Sequence, residues 1–432
     1  MLANKVSGHL VGMWLLVAEH LRLGTWDLLC GWTHRSTEYV EPRLALQLIH
    51  ESALCTAGIR CDRTLTNRGG FELTNGLHFI ANDVAMHDLL AARTVDDAIQ
   101  LQVGLGKLRR AAGDFRGKVL AIDPHRIRSY SKRHMRRRAK KSGEVPLKMS
   151  QTFWLLDADT CQPVCFTSAT SAQTVTKATP PLLTMAADIL GLQDTTALVL
   201  ADTEHVSIEL LEHVARHDSF ELLVPMSYTK QLREQLRSIP QEQFTPRWAG
   251  IATTKQRYEM KKRRDDEPAF YQYVQRNGER PEDWQYKAFL STVDSDEVEA
   301  LAVEFPKRWH IEEFFNANQA LGWNRAGTQN LNVRYGQMTL ALIAQAAIHQ
   351  LRMRIGDPVC GWDADHLSRD LFQGLDGDVR VKDDTIVVTY YNAPNPDLLR
   401  THYEELPAKL EAEHVDPRIP WLCGFKLDFR FR

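Results

Sequence analysis

The strongest constraint on the fold is an alternation of apolar, strand-like runs with amphipathic helices that begins near residue 118. The runs are KVLAIDPHRI (118–127), QTFWLLDADT (151–160), QPVCFTSATS (162–171), TALVLADT (196–203) and ELLVPMS (221–227). Helical periodicity fills 173–191, where Pro180 and Pro181 should start or break the helix, and 207–217. Tight turns favour antiparallel pairing, and helical crossovers favour parallel pairing. The pattern predicts an α/β fold with a mixed sheet flanked by helices.

Three regions follow from the chain as a whole. Residues 1–116 read as an N-terminal helical region, and residues 117–355 form a central domain. Residues 228–292 interrupt that domain as a β-rich insertion, and 356–432 form a C-terminal region. The helices of the N-terminal region are predicted at 8–23, 42–57, 82–92 and 95–112. Later elements are predicted as strands at 249–260, 269–276, 284–293 and 384–392, and as helices at 295–321, 330–354 and 396–412.

Composition narrows the class of protein. The chain has 432 residues, 44% hydrophobic and 25% charged, which is typical of a globular protein of two or three domains. The net charge is only −2, so any nucleic-acid affinity must come from local clusters. The seven cysteines lack zinc-site spacing, which favours reduced thiols in the cytoplasm. The apolar stretch 10–21 is too short to span a membrane and contains Glu19 and His20.

Two aspartates close apolar strands. Asp123 follows LAI near the end of the first predicted strand, and Asp202 follows VLA at the end of the fourth. Ligands bind at strand ends in α/β sheets, and a buried carboxylate needs a positive partner. The alternative is that each Asp caps a turn or the next helix. Asp157 and Asp159 flank a predicted tight turn and are interpreted as hairpin residues.

A third acid lies in RWHIEEFFNANQ (308–319). On a helix, one face carries Phe305, Arg308, Glu312, Phe315 and Gln319, whereas Glu313 points about 100° away. The alternative for Arg308 and Glu312 is an ordinary i,i+4 ion pair, although nearby apolar residues, including Trp309, predict a buried helix. If Asp123, Asp202 and Glu312 converge, they suit two Mg²⁺ ions, or Mn²⁺, because hard cations take oxygen ligands. Such ions drive in-line phosphoryl displacement.

A basic run joins the first two predicted strands. Residues 125–148 contain ten lysines or arginines and a single acid, Glu144. Such a run binds DNA phosphates without reading sequence, and the alternative is a solvated loop. The candidate DNA contacts in it are Arg126, Arg128, Lys132, Arg133, Arg136, Arg137, Arg138, Lys140 and Lys141. Trp284, in the insertion, is a candidate for stacking on an unpaired base, with Trp248 weaker; the alternative is core packing.

These features resemble the ribonuclease-H-like DDE transposases over about residues 117–355. FPKRWHIEEFF resembles the signature helix of the insertion-sequence-4-like group, which reads Tyr, two residues, Arg, three residues, Glu, six residues, Lys. Phe305, Arg308 and Glu312 match in register, and Gln319 takes the Lys position. In that family the Tyr and Lys positions hold DNA phosphates. Phe305 lacks the hydroxyl and Gln319 the charge.

The resemblance implies a cut-and-paste DNA transposase with Asp123, Asp202 and Glu312 as its catalytic, metal-binding triad. It would bind terminal inverted repeats and target DNA, act as a homodimer on paired ends, and be cytoplasmic and nucleoid-associated. Many relatives use a DNA hairpin with a flipped base on a Trp, here Trp284. The alternatives are a domesticated or inactive DNA-binding derivative, a ribonuclease-H-like nuclease such as a resolvase, and a protein-interaction module with an incidental basic loop.

Overall fold

The computed structural model describes residues 6–7, 10–57, 70–130, 132, 134, 136–138, 143, 145–193, 195–217, 219–258, 268–325, 328 and 330–432. The chain forms two compact units. Unit 1 comprises Met1–Arg109, Ile127–Arg133 and Phe315–Arg432, and unit 2 comprises Arg110–Arg126 and His134–Phe314. No helix among the described residues combines the length and apolarity needed to cross a bilayer.

Helices dominate the first part of the chain. After the short strand β1 (Val6–Ser7) come α1 (Trp14–Arg22), α2 (Thr25–Thr33), α3 (Glu41–Ala53), α4 (Gly70–Thr74), α5 (Asp83–Ala91) and α6 (Val95–Ala111). Helices α1, α3, α5 and α6 match the four predicted ones, whereas α2 and α4 were not predicted. Thr94 and Asp97 cap α6 reciprocally, since each side chain accepts the backbone N–H of the other.

Unit 2 is built around a ten-stranded sheet. Its elements, apart from the helical segments before α10, are β2 (Val119–Arg128), β3 (Arg137–Arg138), β4 (Leu147–Asp157), β5 (Gln162–Thr170), α7 (Val175–Leu190), β6 (Ala197–Leu200), α8 (Ile208–Ala215), β7 (Phe220–Pro225), α9 (Lys230–Arg237), β8 (Thr245–Trp248), β9 (Ile251–Tyr258), β10 (Phe270–Asn277) and β11 (Gln285–Ser291). The strand order is β3-β4-β2-β6-β7-β11-β10-β9-β8, with β5 paired to β4.

The sheet is mixed, as predicted. Strand β6 pairs in parallel with β2 and β7, which are reached through helical crossovers, whereas the hairpin β4–β5 and the insertion strands β8–β11 are antiparallel. The parallel centre is buried because its strands are continuously apolar. Helix α7 packs on β4 and β5, and α8 packs on β7.

Helix α7 corrects one prediction. Pro180 and Pro181 lie inside it, and the helix continues through them, so the expectation that they start or break it is wrong. Burial of an apolar face that includes Val175, Ala178 and Leu182 offsets the two missing N–H donors.

The prediction of one regular α-helix at 295–321 is also wrong, because the segment is divided into helical pieces of different pitch. The segment contains a π-helical turn at Glu299–Glu304, a 3₁₀ segment at Phe305–Trp309, α10 (His310–Asn318) and a 3₁₀ turn at Gln319–Leu321. Pro306 lacks the N–H that a regular α-helix would use, and the helix changes pitch around it.

The remainder of the chain belongs to unit 1. It contains α11 (Leu331–Ile355), α12 (Ala364–Leu367), β12 (Gly377–Lys382), β13 (Thr385–Tyr390), α13 (Pro396–Tyr403), α14 (Leu406–Ala412), β14 (Arg418–Ile419) and β15 (Phe425–Phe431). Helix α11 is largely buried, as predicted, and packs against α3. The strands form a second sheet in the order β1-β12-β13-β15-β14.

Candidate active site

Asp123 lies on β2 just beyond the part of the strand that pairs with β6. That pairing ends at Ala121 opposite Leu200, and Leu120, Ala121 and Ile122 are fully buried. The apolar residues therefore anchor the strand, and the partly buried carboxyl of Asp123 follows at the carboxyl end of the parallel pair.

Asp202 follows β6 by two residues and begins a short 3₁₀ turn. Its Oδ1 accepts the backbone N–H of Glu204 at 3.0 Å and the ring Nδ1–H of His205 at 2.7 Å. Burial alone would raise the pKa of Asp202, but the hydrogen bond and charge of His205 hold it below its usual value. This carboxylate is thus oriented through one oxygen.

The negative charges of Asp202 and Glu312 both act on the carboxyl of Asp123. Its pKa is raised to about 8, first by burial and then by the negative charge of Asp202, while Glu312 adds a smaller effect in the same direction. The guanidinium groups of Arg308 and Arg126 oppose the rise. Asp123 therefore lies within electrostatic reach of both Asp202 and Glu312 in unit 2.

Glu312 lies in the first turn of α10 and pairs with Arg308. The distance from Arg308 Nη2 to Glu312 Oε1 is 3.0 Å, with the Arg308 side chain 15% exposed and that of Glu312 38%. Glu313 is exposed, in agreement with its predicted rotation away from Glu312. Ile311, Phe314 and Phe315 are buried, as expected for a buried helix, whereas Trp309 departs from that expectation and is 55% exposed.

The other signature positions have different surroundings. The ring of Phe305 packs edge-on against that of Phe289 on β11, with centroids 4.8 Å apart. Gln319 begins the 3₁₀ turn after α10 and belongs to unit 1. Because the helical pitch changes between Phe305 and Gln319, the single helical face predicted for them is not continuous.

Arg126, Gln151 and Glu204 form a hydrogen-bonded group beside the acids that the sequence did not predict. The guanidinium of Arg126 donates to Gln151 Oε1 at 2.9 Å and to both carboxylate oxygens of Glu204, at 2.7 and 2.5 Å. Arg126 was predicted as a DNA contact, and here it forms a partly buried ion pair beside Asp123 and Asp202. No local sequence signal joins these residues, because Arg126 lies 25 positions before Gln151 and 78 before Glu204.

The competing acids are structural. Asp157 Oδ2 accepts the backbone N–H groups of Arg116 and Gly117, both at 2.7 Å, and its Oδ1 accepts two N–H groups of its own turn. Asp159 pairs with Lys307 at 2.9 Å. The interpretation of Asp157 and Asp159 as hairpin residues is confirmed.

The basic run is described only in part. Lys132, Arg136 and Arg137 are exposed, and Arg137 and Arg138 form β3 opposite Lys148 and Leu147. The guanidinium of Arg128 lies over the exposed ring of Tyr130, 4.8 Å from its centroid. Three predicted DNA contacts, Arg133, Lys140 and Lys141, lie outside the described residues.

Trp284 is half-buried. It packs against the insertion's apolar cluster, which includes Phe244 and Tyr286, and the guanidinium of Arg276 lies 4.0 Å from its ring centroid. Trp248, on the edge strand β8, is 48% exposed. Core packing thus accounts for part of the Trp284 surface.

The three acids offer only oxygen donors to a metal ion. In the part of the chain that the structure describes, no set of three Asp, Glu, His or Cys side chains is arranged to hold a metal ion. The donor chemistry nevertheless fits a hard divalent cation, because all three groups are carboxylates. Asp123 is also destabilised by negative neighbours that such a cation would neutralise.

Comparison with known proteins gives the family. A model of the transposase DDE domain matches residues 114–346, more than half of the chain. This chain belongs to the DDE transposase family. It is therefore a DNA transposase, a metal-dependent enzyme that acts on DNA. No curated protein matches the transposase.

A solved structure shows a distant likeness. It is a cryo-electron microscopy structure of a piggyBac transposase synaptic complex with hairpin DNA, at 12% identity and a TM-score of 0.43. The alignment covers 83% of this transposase and 79% of the other chain.

Proposed function

We propose that this transposase cuts and joins DNA by a cut-and-paste reaction at Asp123, Asp202 and Glu312. The observation that carries the proposal is the placement of Asp123 and Asp202 just beyond the paired carboxyl ends of β2 and β6, where Asp202 and Glu312 also raise the pKa of Asp123. A carboxyl held among carboxyls is unfavourable for the fold alone and suits a cation-dependent site.

The chain's own residues would prepare the acids for two Mg²⁺ ions, with Mn²⁺ as a substitute. His205 and the N–H of Glu204 hold one oxygen of Asp202 and leave the other for a ligand. Arg308 holds Glu312, and Arg126 spreads positive charge toward Asp123 and Asp202. When bound, the ions would activate the attacking oxygen and stabilise the leaving one.

DNA would reach the acids from the basic run that follows Asp123 on β2. The exposed Lys132, Arg136 and Arg137 are free to approach phosphates in solution, and their contribution should fall with salt. Trp284 would stack on an unpaired base through the part of its ring that the insertion and Arg276 leave open.

The assignment to a group within the DDE transposases rests on the signature helix. Phe305, Arg308 and Glu312 support membership of the insertion-sequence-4-like group, acting on terminal inverted repeats as a homodimer on paired ends. The division into an N-terminal region (1–116), a catalytic domain (117–355) and a C-terminal region (356–432) stays a prediction, as does association with the bacterial nucleoid.

The test uses a plasmid carrying the gene's native flanking DNA, which should include the ends. Asp123→Asn, Asp202→Asn and Glu312→Gln should each abolish Mg²⁺-dependent excision by the purified protein while DNA binding in a gel-shift assay is retained. The matched control, Glu313→Gln, should excise normally. Normal excision by any of the three variants would remove that residue from the site.

Two further outcomes separate the alternatives. Cutting by the wild-type chain without joining of the cut ends to a second plasmid would indicate a nuclease. Binding without cutting would indicate a domesticated DNA-binding derivative.

A further inference from the structure

A cavity of about 460 Å³ lies in unit 2 away from the predicted acids. Lys118 immediately precedes β2, and Thr195 and Thr196 immediately precede β6, so the cavity opens at the amino ends of these two parallel strands. The residues that line it are Arg110, Phe115, Arg116, Gly117, Lys118, Leu190, Leu192, Thr195 and Thr196. We call it the basic cavity.

The three cations of the basic cavity are exposed: Arg110, Arg116 and Lys118. Among the residues that the structure describes, no acidic side chain forms an ion pair with any of them. In the same unit, Arg126 and Arg308 each pair with a glutamate. Three like charges around one cavity repel each other, so the arrangement is stabilised when an anion enters.

Hydrogen bonds and packing fix the position of Arg116 and Arg110 in the basic cavity. Asp157 binds the backbone N–H groups of Arg116 and Gly117 at 2.7 Å, which fixes the segment leading into β2. The guanidinium of Arg110 lies against Gly191, where an added Cβ would come within 2.0 Å of Nη1. The missing side chain at Gly191 therefore makes room for the Arg110 guanidinium. Part of the binding geometry is thus formed before any ligand arrives.

The basic cavity and the acids lie at opposite ends of the same strands. Lys118 precedes Asp123 by five residues, which corresponds to roughly 17 Å along an extended strand. A phosphate in the basic cavity is therefore not the phosphate that reacts at Asp123. Guanidinium groups match phosphate oxygens through paired hydrogen bonds, and a lysine adds a point charge.

We propose that the basic cavity binds backbone phosphates of duplex DNA at a place separate from the reacting bond. The proposal rests on the proposed function, because DNA is the polyanion on which a transposase acts. Contacts there would hold the DNA without reading its sequence.

The experiment measures the salt dependence of binding to a fluorescein-labelled duplex of arbitrary sequence by fluorescence anisotropy. The triple variant Arg110→Ala, Arg116→Ala, Lys118→Ala should shift the slope of log Kd against log salt by about 2–3, since each phosphate contact contributes about 0.9. Each single alanine variant should lose about 0.9. The single variants also keep the test valid if the triple variant fails to fold.

The control removes the same charge elsewhere in unit 2. Lys230→Ala, Arg233→Ala, Arg237→Ala changes three exposed cations of α9 and should leave the slope within about 0.5 of wild type. Equal changes in both triple variants would overturn the proposal, because they would reflect net charge alone. A wild-type slope in the cavity variants would also overturn it, provided that the wild-type protein binds and excises DNA. Absence of both activities in the wild type would instead contradict the proposed function.

Discussion

Replacing Asp123 by asparagine should make unit 2 more stable while it removes a proposed metal ligand. The carboxyl is partly buried, and its pKa is raised to about 8 by burial and by Asp202 and Glu312. Asparagine has nearly the same shape and no charge. The substitution therefore removes the unfavourable free energy of ionising this carboxyl in the folded state and leaves its packing nearly unchanged.

The size of the effect follows from proton linkage. The unfolded carboxyl titrates near 3.8, so between that pH and about 8 the folded state binds the additional proton, and stability falls as pH rises. At pH 7 the accumulated cost is about 4 kcal/mol, at 1.36 kcal/mol per pKa unit. The pKa of about 8 already includes the opposing attraction of Arg308 and Arg126. Asparagine reproduces the protonated carboxyl only in part, so we expect a net gain of about 2–3 kcal/mol.

The assay is thermal unfolding at pH 7 in the presence of EDTA. For a unit of roughly 200 residues, a gain of that size raises Tm by about 4–10 °C. Glu313→Gln, an isosteric change at an exposed neighbour of Glu312, should leave Tm within about 1 °C because surface substitutions contribute little. Added Mn²⁺ should raise the Tm of the wild type and not that of Asp123→Asn.

Two results would refute this reasoning. A Tm for Asp123→Asn at or below that of the wild type would mean that the neighbouring acids do not destabilise the carboxyl. A stabilisation of both proteins by Mn²⁺ would mean that the cation binds without Asp123.

Two other predictions concern histidines. His205→Ala removes the 2.7 Å donor to Asp202 and should weaken Mn²⁺ binding by about 10–100-fold in a calorimetric titration, with partial recovery in His205→Asn; unchanged affinity would exclude a positioning role. His50 is buried, and burial lowers its pKa to about 4 despite a hydrogen bond to Asn75. Its stabilising effect is therefore complete above pH 6.5 and lost as pH falls toward 4, by up to about 3 kcal/mol in urea unfolding. His50→Gln should flatten that dependence, and an equally steep loss in this variant would assign the protons elsewhere.

Much of unit 2 could be predicted from local patterns. The strands that precede Asp123 and Asp202 are short, continuously apolar runs. Such runs are typical of central strands that are buried on both faces of a parallel sheet. The helical crossovers then set the parallel order of β2, β6 and β7. The pairing of Arg308 with Glu312 was also predictable, because it depends only on helical spacing.

Local sequence patterns did not predict features of the structure that depend on contacts between residues distant in sequence. The pitch change around Pro306 and the continuation of α7 through its prolines depend on packing that no single segment contains. Exposed Trp309 shows the same limit, since its apolar character predicted burial.

The amino-acid sequence by itself determined the mixed sheet, the strand-end positions of two acids and the helical register of the third. Only the tertiary structure decided which charges meet. Arg126, from the basic run, pairs with Glu204, 78 residues away, whereas Arg110, Arg116 and Lys118 surround a cavity with no acidic partner among the described residues. The physical reason is that periodicity acts within a few residues, while an electrostatic interaction depends on distance in space after folding.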